Sequence, residues 1–252
     1  MFYKNVEIDD YQRLLSHREV WRKKPALNYF YSEALFKKIK YYCNRLPILE
    51  VGSGPGFLKN YWKDIVSSDA IPVPWLDMAC RCEELPFRDS TFASLVCIDV
   101  FHHLAYPLEF LKEAERVVVP EGKIIMIEPW MTPISHIFYK YIHHELCEKS
   151  RDPWGGVSRK DQGLFDGNVY LTYQCFNRKG RTEFETHCPN LRLKKIELLG
   201  VFVYFLTGGF QPNLGIKSKR LMNNLFRIEK SLEPLFSSLC ATRALIVIEN
   251  LK

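Results

Sequence analysis

Apolar residues along this chain follow two rhythms, and the rhythm changes near residue 46. Before that point they recur every three or four positions. Residues 9–24 place Tyr11, Leu14, Leu15, Val20 and Trp21 on one stripe among charged residues, the spacing of an amphipathic helix. Pro25 ends or bends that helix, and Tyr29, Phe30, Tyr31, Leu35 and Phe36 predict a second over 26–43. After residue 46, short apolar runs bounded by turn residues predict buried strands over 48–51, 65–69, 76–80, 94–100 and 123–130. Helical spacing returns over 57–62 and 107–118. The stretch Ala70-Ile71-Pro72-Val73-Pro74-Trp75 is too short and too rich in proline for a helix, so strands two and three are expected to join through an extended loop. Beyond strand five the pattern predicts a helix over 134–146 and turn-rich chain from Asp152 to Asn168. A strand with a bend follows over 191–206, then a turn at Gly208-Gly209, a helix over 218–239 and a last strand over 244–249.

The first strand runs into Glu50-Val51-Gly52-Ser53-Gly54-Pro55-Gly56-Phe57-Leu58. A strand that breaks into a glycine turn at a helix start makes a ligand cradle, because residues without a Cβ let the backbone approach closely. A dinucleotide fold places its third glycine three positions after the second. Here that position is Phe57, and the third glycine is Gly56. With Glu50 two residues before Gly52, the stretch resembles motif I of the class I S-adenosylmethionine (SAM) methyltransferases. The resemblance continues through Asp69 at the end of strand two, the run from Arg81 to Phe92, and Phe101-His102-His103-Leu104 after strand four. In all it covers 46–128, about a third of the chain.

That resemblance implies an α/β fold: a Rossmann-like, seven-stranded, mostly parallel sheet whose last strand runs antiparallel beside strand five. It further implies one methyltransferase-like domain over 1–252. Its parts would be N-terminal helices over 1–45, a SAM-binding core over 46–129, a substrate cap inserted over 130–190 between strands five and six, and the rest of the sheet over 191–252. Glu50 would orient the methionine end of SAM, with Gly52, Ser53, Gly54 and Gly56 passing beneath it. Asp69 would accept from the ribose hydroxyls, as a carboxylate with two acceptor oxygens can. Where the family has an aspartate that accepts from the adenine amino group, this chain has Arg81. Arginine cannot accept that bond but can stack, which leaves adenine to Arg81, to backbone near Cys82 and to apolar contacts. A second family aspartate is replaced by Ala93. Asp99 completes the expected cofactor set.

Ligands of open α/β sheets bind outside the carboxyl ends of the strands. Asp99, His102, His103, Glu128 and Trp130 line that edge, and His103 and Glu128 are the candidates for taking a proton from an acceptor hydroxyl. Trp130, Tyr139, His143 and His144 are the candidates for touching substrate. No metal is expected, since adjacent histidines on a helix, such as His143 and His144 beside Glu145, diverge by about 100°.

Composition narrows the partners. The chain has 252 residues, 47% hydrophobic and 25% charged, ordinary for a globular protein. A net charge of +6 is compatible with an anionic partner or a membrane surface but does not require nucleic acid. Arg18, Arg22, Lys23 and Lys24 form a basic cluster, either a solvated helix face or a lid end facing the cofactor's carboxylate or an anionic substrate. Eight scattered cysteines without a C-x-x-C pair argue against zinc and a disulfide framework. No apolar stretch reaches the roughly 20 residues needed to cross a bilayer, and no signal peptide opens the sequence, so a cytoplasmic protein is expected. The apolar run 201–206 reads as core, whereas its exposure would suggest a lipid-linked substrate or peripheral membrane contact. The functional expectation is SAM-dependent methyl transfer to an oxygen or nitrogen of a small molecule or a glycan- or lipid-linked acceptor. The alternative is a binding or scaffold protein that keeps the fold without the activity.

Overall fold

The structure is a computed structural model that describes residues 8–142, 145–157, 163–200, 202–216 and 218–252. Seven strands form one sheet: β1 (Ile48–Glu50), β2 (Val66–Asp69), β3 (Met78–Ala79), β4 (Phe92–Ile98), β5 (Val118–Pro129), β6 (Leu191–Leu199) and β7 (Arg243–Asn250). Their spatial order is β3-β2-β1-β4-β5-β7-β6. Neighbours from β3 to β5 pair in parallel, and β7 is antiparallel to both β5 and β6. The chain leaves β1 first toward β2 and later returns to its other side as β4. That reversal opens a crevice above the carboxyl ends of the two strands.

The central strands bury both faces, and their alternation sorts residues between two cores. Leu95, Cys97, Ile124, Met126, Ile246 and Ile248 face α5 (Pro107–Val117), α7 (Leu171–Phe176) and α8 (Gly180–His187). Val96, Ile125, Ile127, Leu245 and Val247 face the N-terminal helices and α10 (Lys219–Cys240). Phe110 and Phe176, both fully buried on the first side, are each worth about 3–5 kcal/mol against truncation to alanine.

Several elements differ from expectation in informative ways. The N-terminal region forms α1 (Ile8–Lys23), α2 (Pro25–Phe30) and α3 (Lys37–Tyr42), but a π-helical turn, Tyr31–Phe36, separates the last two. The wider turn buries Tyr31, Ala34, Leu35 and Phe36 together. Strand β5 begins at Val118 and runs through the expected Pro120–Gly122 turn, with Glu121 at φ +60 and a register shift opposite Phe92 and Ser94. The helix expected over 134–146 is α6 (Pro133–Tyr141), started by a capping box between Thr132 and Ser135. The bend after β6 is a short helix, α9 (Val203–Leu206), in which Val203 is buried and its neighbours are half-buried. The glycine turn leads into α4 (Phe57–Tyr61).

Candidate active site

Gly52, Gly54 and Gly56 have φ of +61, +48 and +74, a region that side chains rarely adopt. At Gly52 a Cβ would also lie 2.4 Å from Val100 Cγ2, so glycine is needed there for space as well. The turn is laced to strand β2: Ser53 N donates to Ser68 O at 2.9 Å and Gly54 N to Asp69 Oδ2 at 2.7 Å. The other Asp69 oxygen accepts from Ile71 N at 2.9 Å. Burial pushes the Asp69 pKa up while the Ile71 and Gly54 amides hold it back. Each carboxylate oxygen keeps a lone pair for a further donor.

Glu50 sits where β1 ends, only 4% exposed, and its Oε2 is buried with no hydrogen-bond partner among the described residues. Burial lifts its pKa from 4.5 to about 8, with the Ser53 hydroxyl opposing the rise. A buried carboxyl with one oxygen left without a donor, at the mouth of a glycine cradle, fits a ligand carrying an ammonium group. Asp69, one strand over, fits a hydroxylated sugar. The methionine and ribose ends of SAM therefore suit Glu50, Gly52, Ser53, Gly54, Gly56 and Asp69.

At the adenine end the geometry is different. Arg81 pairs with Glu83 at 3.3 Å, and its Nε is buried without a partner among the described residues. Cys82 also contacts Glu83, Sγ to Oε2 at 3.7 Å, and burial raises its thiol pKa well above the ordinary value. The arginine is thus anchored by its own neighbour. Ala93 lies at the start of β4, at the far end of the strand from the crevice, so its substitution does not touch this site.

Helix α1 roofs the turn. Leu14 is buried, with Cδ2 3.5 Å from where a Gly54 Cβ would stand. Arg18 donates to Pro55 O and lies 4.4 Å over the Trp75 ring, while Trp75 Nε1 donates to Gly54 O at 2.9 Å. Of the basic cluster, Lys24 is neither solvated nor near the turn. It is 3% exposed and donates to the carbonyls of Thr207 at 3.0 Å and Gly209 at 2.8 Å, tying the α1–α2 junction to the chain after α9. Trp75 was legible only as part of a loop, and Lys24 only as one charge among four.

Beyond β4 the edge is a network of buried charges. Glu128 is fully buried and accepts from Val100 N and Phe101 N, both at 2.8 Å, and from His102 N at 3.3 Å. It also pairs with His102 Nδ1 at 2.6 Å, and Glu145 meets the other ring nitrogen at 3.1 Å. Burial alone would lower the His102 pKa, but Glu128 and then Glu145 outweigh it and raise it to about 10. With its oxygens committed to four donors, Glu128, a candidate base, braces the turn after β4 and the charged His102 ring. His103 behaves oppositely: burial and the charged His102 push its pKa down to about 3. Its ring lies tilted against His102 with centroids 4.0 Å apart, and Gly167 folds over both rings. The ligating atoms of His102, His103 and Glu145 lie within 4.8 Å of one another.

Asp99, at φ +55, pairs with the guanidinium of Arg243, which is buried and lies 4.6 Å over Tyr204. The first residue of β7 thereby reaches the edge, a role the apolar strand pattern concealed. Trp130 is buried edge-on against Tyr173, with ring centroids 5.1 Å apart. Tyr139 is also buried and donates to Thr242 O at 2.8 Å, so its hydroxyl is committed to the fold. His143 and His144 lie outside the described residues.

Comparison with known proteins agrees with this layout. Residues 49–126 match the family of methyltransferase domains, a segment running from β1 into β5. The chain is 24% identical over 116 residues to the ubiquinone/menaquinone biosynthesis C-methyltransferase UbiE of Geotalea daltonii, covering 46% of this chain. The match covers 47% of that protein, so the chain spans about half the length of this relative. A Thermotoga maritima SAM-dependent methyltransferase, described as a possible histamine N-methyltransferase, has the same fold. It is 12% identical at a TM-score of 0.55, covering 97% of this chain and 99% of that one. Residues 49–126 thus match the methyltransferase domain family, whose methyl donor is S-adenosylmethionine, and the chain as a whole has the fold of such enzymes.

Proposed function

We propose that the protein is an active methyltransferase acting on an oxygen or nitrogen of a small molecule, or of a glycan- or lipid-linked acceptor, at the crevice above β1 and β4. The observation that carries this reading is the buried, partnerless Glu50 oxygen in a turn of left-handed glycines. S-adenosylmethionine, when bound, supplies an electrophilic methyl group on a sulfonium. Glu50 would hold the ammonium of its methionine end and Asp69 its ribose hydroxyls.

On the acceptor side, His103 is neutral at physiological pH because its pKa lies near 3. A ring so weakly basic is a poor general base, whose best pKa lies near the working pH. Its task would be to orient an acceptor hydroxyl or amine by hydrogen bonding, with positioning supplying most of the rate. Glu128 and Glu145 would keep His102 charged and fixed, and so keep His103 neutral. The relative from quinone biosynthesis is named a C-methyltransferase. A phenolic acceptor offers a nucleophilic ring carbon beside its oxygen, so both acceptor types belong in the assay.

A scaffold reading draws on Arg81, which pairs with Glu83 where the family has an adenine acceptor. Calorimetry with SAM and S-adenosylhomocysteine separates the two readings. Micromolar binding that is lost in Glu50→Ala supports the enzyme, and absence of binding at millimolar ligand leaves only the scaffold. Transfer of a labelled methyl group to a panel of hydroxylated aromatics and amines then tests the reaction.

A further inference from the structure

We propose that the face formed by α6 and α10 docks on the surface of an anionic lipid bilayer. This inference is independent of the methyl-transfer reading. Along α10, Leu221, Leu225, Ile228, Leu232, Leu235 and Leu239 recur at alternating steps of four and three, which places them on one side of the helix. The buried side, about 100° round the helix, carries Met222, Phe226 and Glu229. The apolar stripe is largely open: Leu221, Ile228, Leu235 and Leu239 are exposed, as is Phe236 beside them, and Leu235 reaches 73%. On α6, Ile134, Ile137 and Tyr141 repeat the pattern and are all exposed, Tyr141 at 71%.

The two helices meet where α10 ends. Thr132 Oγ1, the cap of α6, donates to Ala241 O at 3.0 Å, and Tyr139 OH donates to Thr242 O at 2.8 Å. The two helices are therefore neighbours, and each leaves an exposed apolar row. Scattered exposed leucines need no explanation, but contiguous rows on packed helices mark an interaction surface. No helix among the described residues is long and apolar enough to cross a membrane, so the face can lie on a bilayer but not span it.

Charge selects the occupant. Helix α6 contains Lys140 and no carboxylate. On α10, Arg220 and Arg227 flank the stripe on the side away from the buried face, and the helix's two carboxylates are engaged. Glu229 is buried against the amides of Phe202 and Val203, and Glu233 pairs with Lys230 at 3.0 Å. Two copies of this face would bring like charges together without an acid on either helix to answer them. An anionic bilayer offers both an apolar interior and a negative surface. The run 201–206, whose exposure would have suggested membrane contact, is half-buried or buried where described, so the contact falls to different residues.

The test is sedimentation of the full chain with vesicles of phosphatidylcholine alone and of phosphatidylcholine with phosphatidylglycerol in equal parts, with the mass in solution followed by light scattering. Binding to the anionic vesicles only, weakened by salt, is expected. Leu235→Asp with Phe236→Asp should abolish it while thermal unfolding stays cooperative. Arg220→Gln and Arg227→Gln, surface changes that spare folding, should each weaken it about fivefold. Three results overturn the proposal: no binding to anionic vesicles, binding untouched by all these substitutions, or a stable dimer that the aspartates dissociate.

Discussion

Replacing Glu50 by glutamine separates what this acid does for a ligand from what it costs the fold. In the free protein burial lifts its pKa from 4.5 to about 8. The unfolded chain ionises the same group near 4.5, so between pH 4.5 and 8 the folded state keeps a proton that the unfolded state has released. Stability from this group is then highest below the unfolded pKa. It falls as pH rises, by at most about 1.4 kcal/mol per unit, until the folded pKa is passed. The full difference corresponds to roughly 5 kcal/mol. Relaxation and water entry reduce it, and about 2–3 kcal/mol at pH 9 is a realistic size. Glutamine is nearly isosteric and never ionises. Glu50→Gln should match the wild type in urea unfolding at pH 5 and exceed it at pH 9. Its SAM affinity at pH 8 should meanwhile fall at least about tenfold, through loss of a charge-assisted bond to the ammonium. Binding to the wild type at pH 7 should release protons, seen as a calorimetric heat that varies with the buffer's ionisation enthalpy. A variant less stable than the wild type at pH 9, with unchanged SAM affinity, refutes the reasoning, because the carboxyl would then be partnered inside the fold.

Other sites give shorter tests. Asp69→Ala should weaken SAM by about 1–3 kcal/mol and also loosen the turn, since Gly54 N loses its acceptor; unchanged affinity in calorimetry would misplace the nucleoside. Lys24→Met leaves the carbonyls of Thr207 and Gly209 without their donor and should cost about 1–3 kcal/mol in denaturant unfolding, a cost that a solvated lysine would not show. His102 has a folded pKa raised from 6.5 to about 10, so its contribution is full below pH 6.5 and lost as pH climbs to 10. The stability gap between the wild type and His102→Gln should shrink across that window, and a constant gap would mean the ring is uncharged. His103→Asn should lower kcat only about tenfold, the worth of one orienting hydrogen bond, and wild-type kcat should show no titration near pH 6.5.

How much of this was legible beforehand depends on the range over which each signal acts. The strands and the glycine turn are local, written in runs such as Leu95-Val96-Cys97-Ile98 and in the left-handed glycines, and the sheet order follows from the family pattern. The placement of Glu50 and Asp69 beside the turn was legible because the turn fixes their distance from it. The roles of Glu128 and Tyr139 were not, because their partners lie 26 or more residues away: Val100, Phe101 and His102 for the acid, Thr242 for the phenol. Arg243 hid for the same reason, and its one signal was a lone arginine opening an otherwise apolar strand. The π-helical turn at 31–36 left no mark in the apolar spacing, which reads as one continuous helix through it.

The charges along the sheet edge bear on the choice between enzyme and scaffold. Asp99 is answered by Arg243, Glu128 by His102 and three backbone amides, and Asp69 by the amides of Gly54 and Ile71. Each of these acids would survive in a protein that bound nothing, because its partner belongs to the fold. Glu50 differs, for it is as deeply buried and one of its oxygens has no donor among the described residues. Retaining such a carboxyl destabilises the free state at neutral pH and offers the fold no packing that glutamine or leucine could not supply. A scaffold would be more stable without it, whereas a site for an ammonium-bearing ligand requires it. If Glu50→Leu stabilises the protein across pH 5–9 and SAM still fails to bind the wild type, that asymmetry has no functional meaning and the scaffold reading stands.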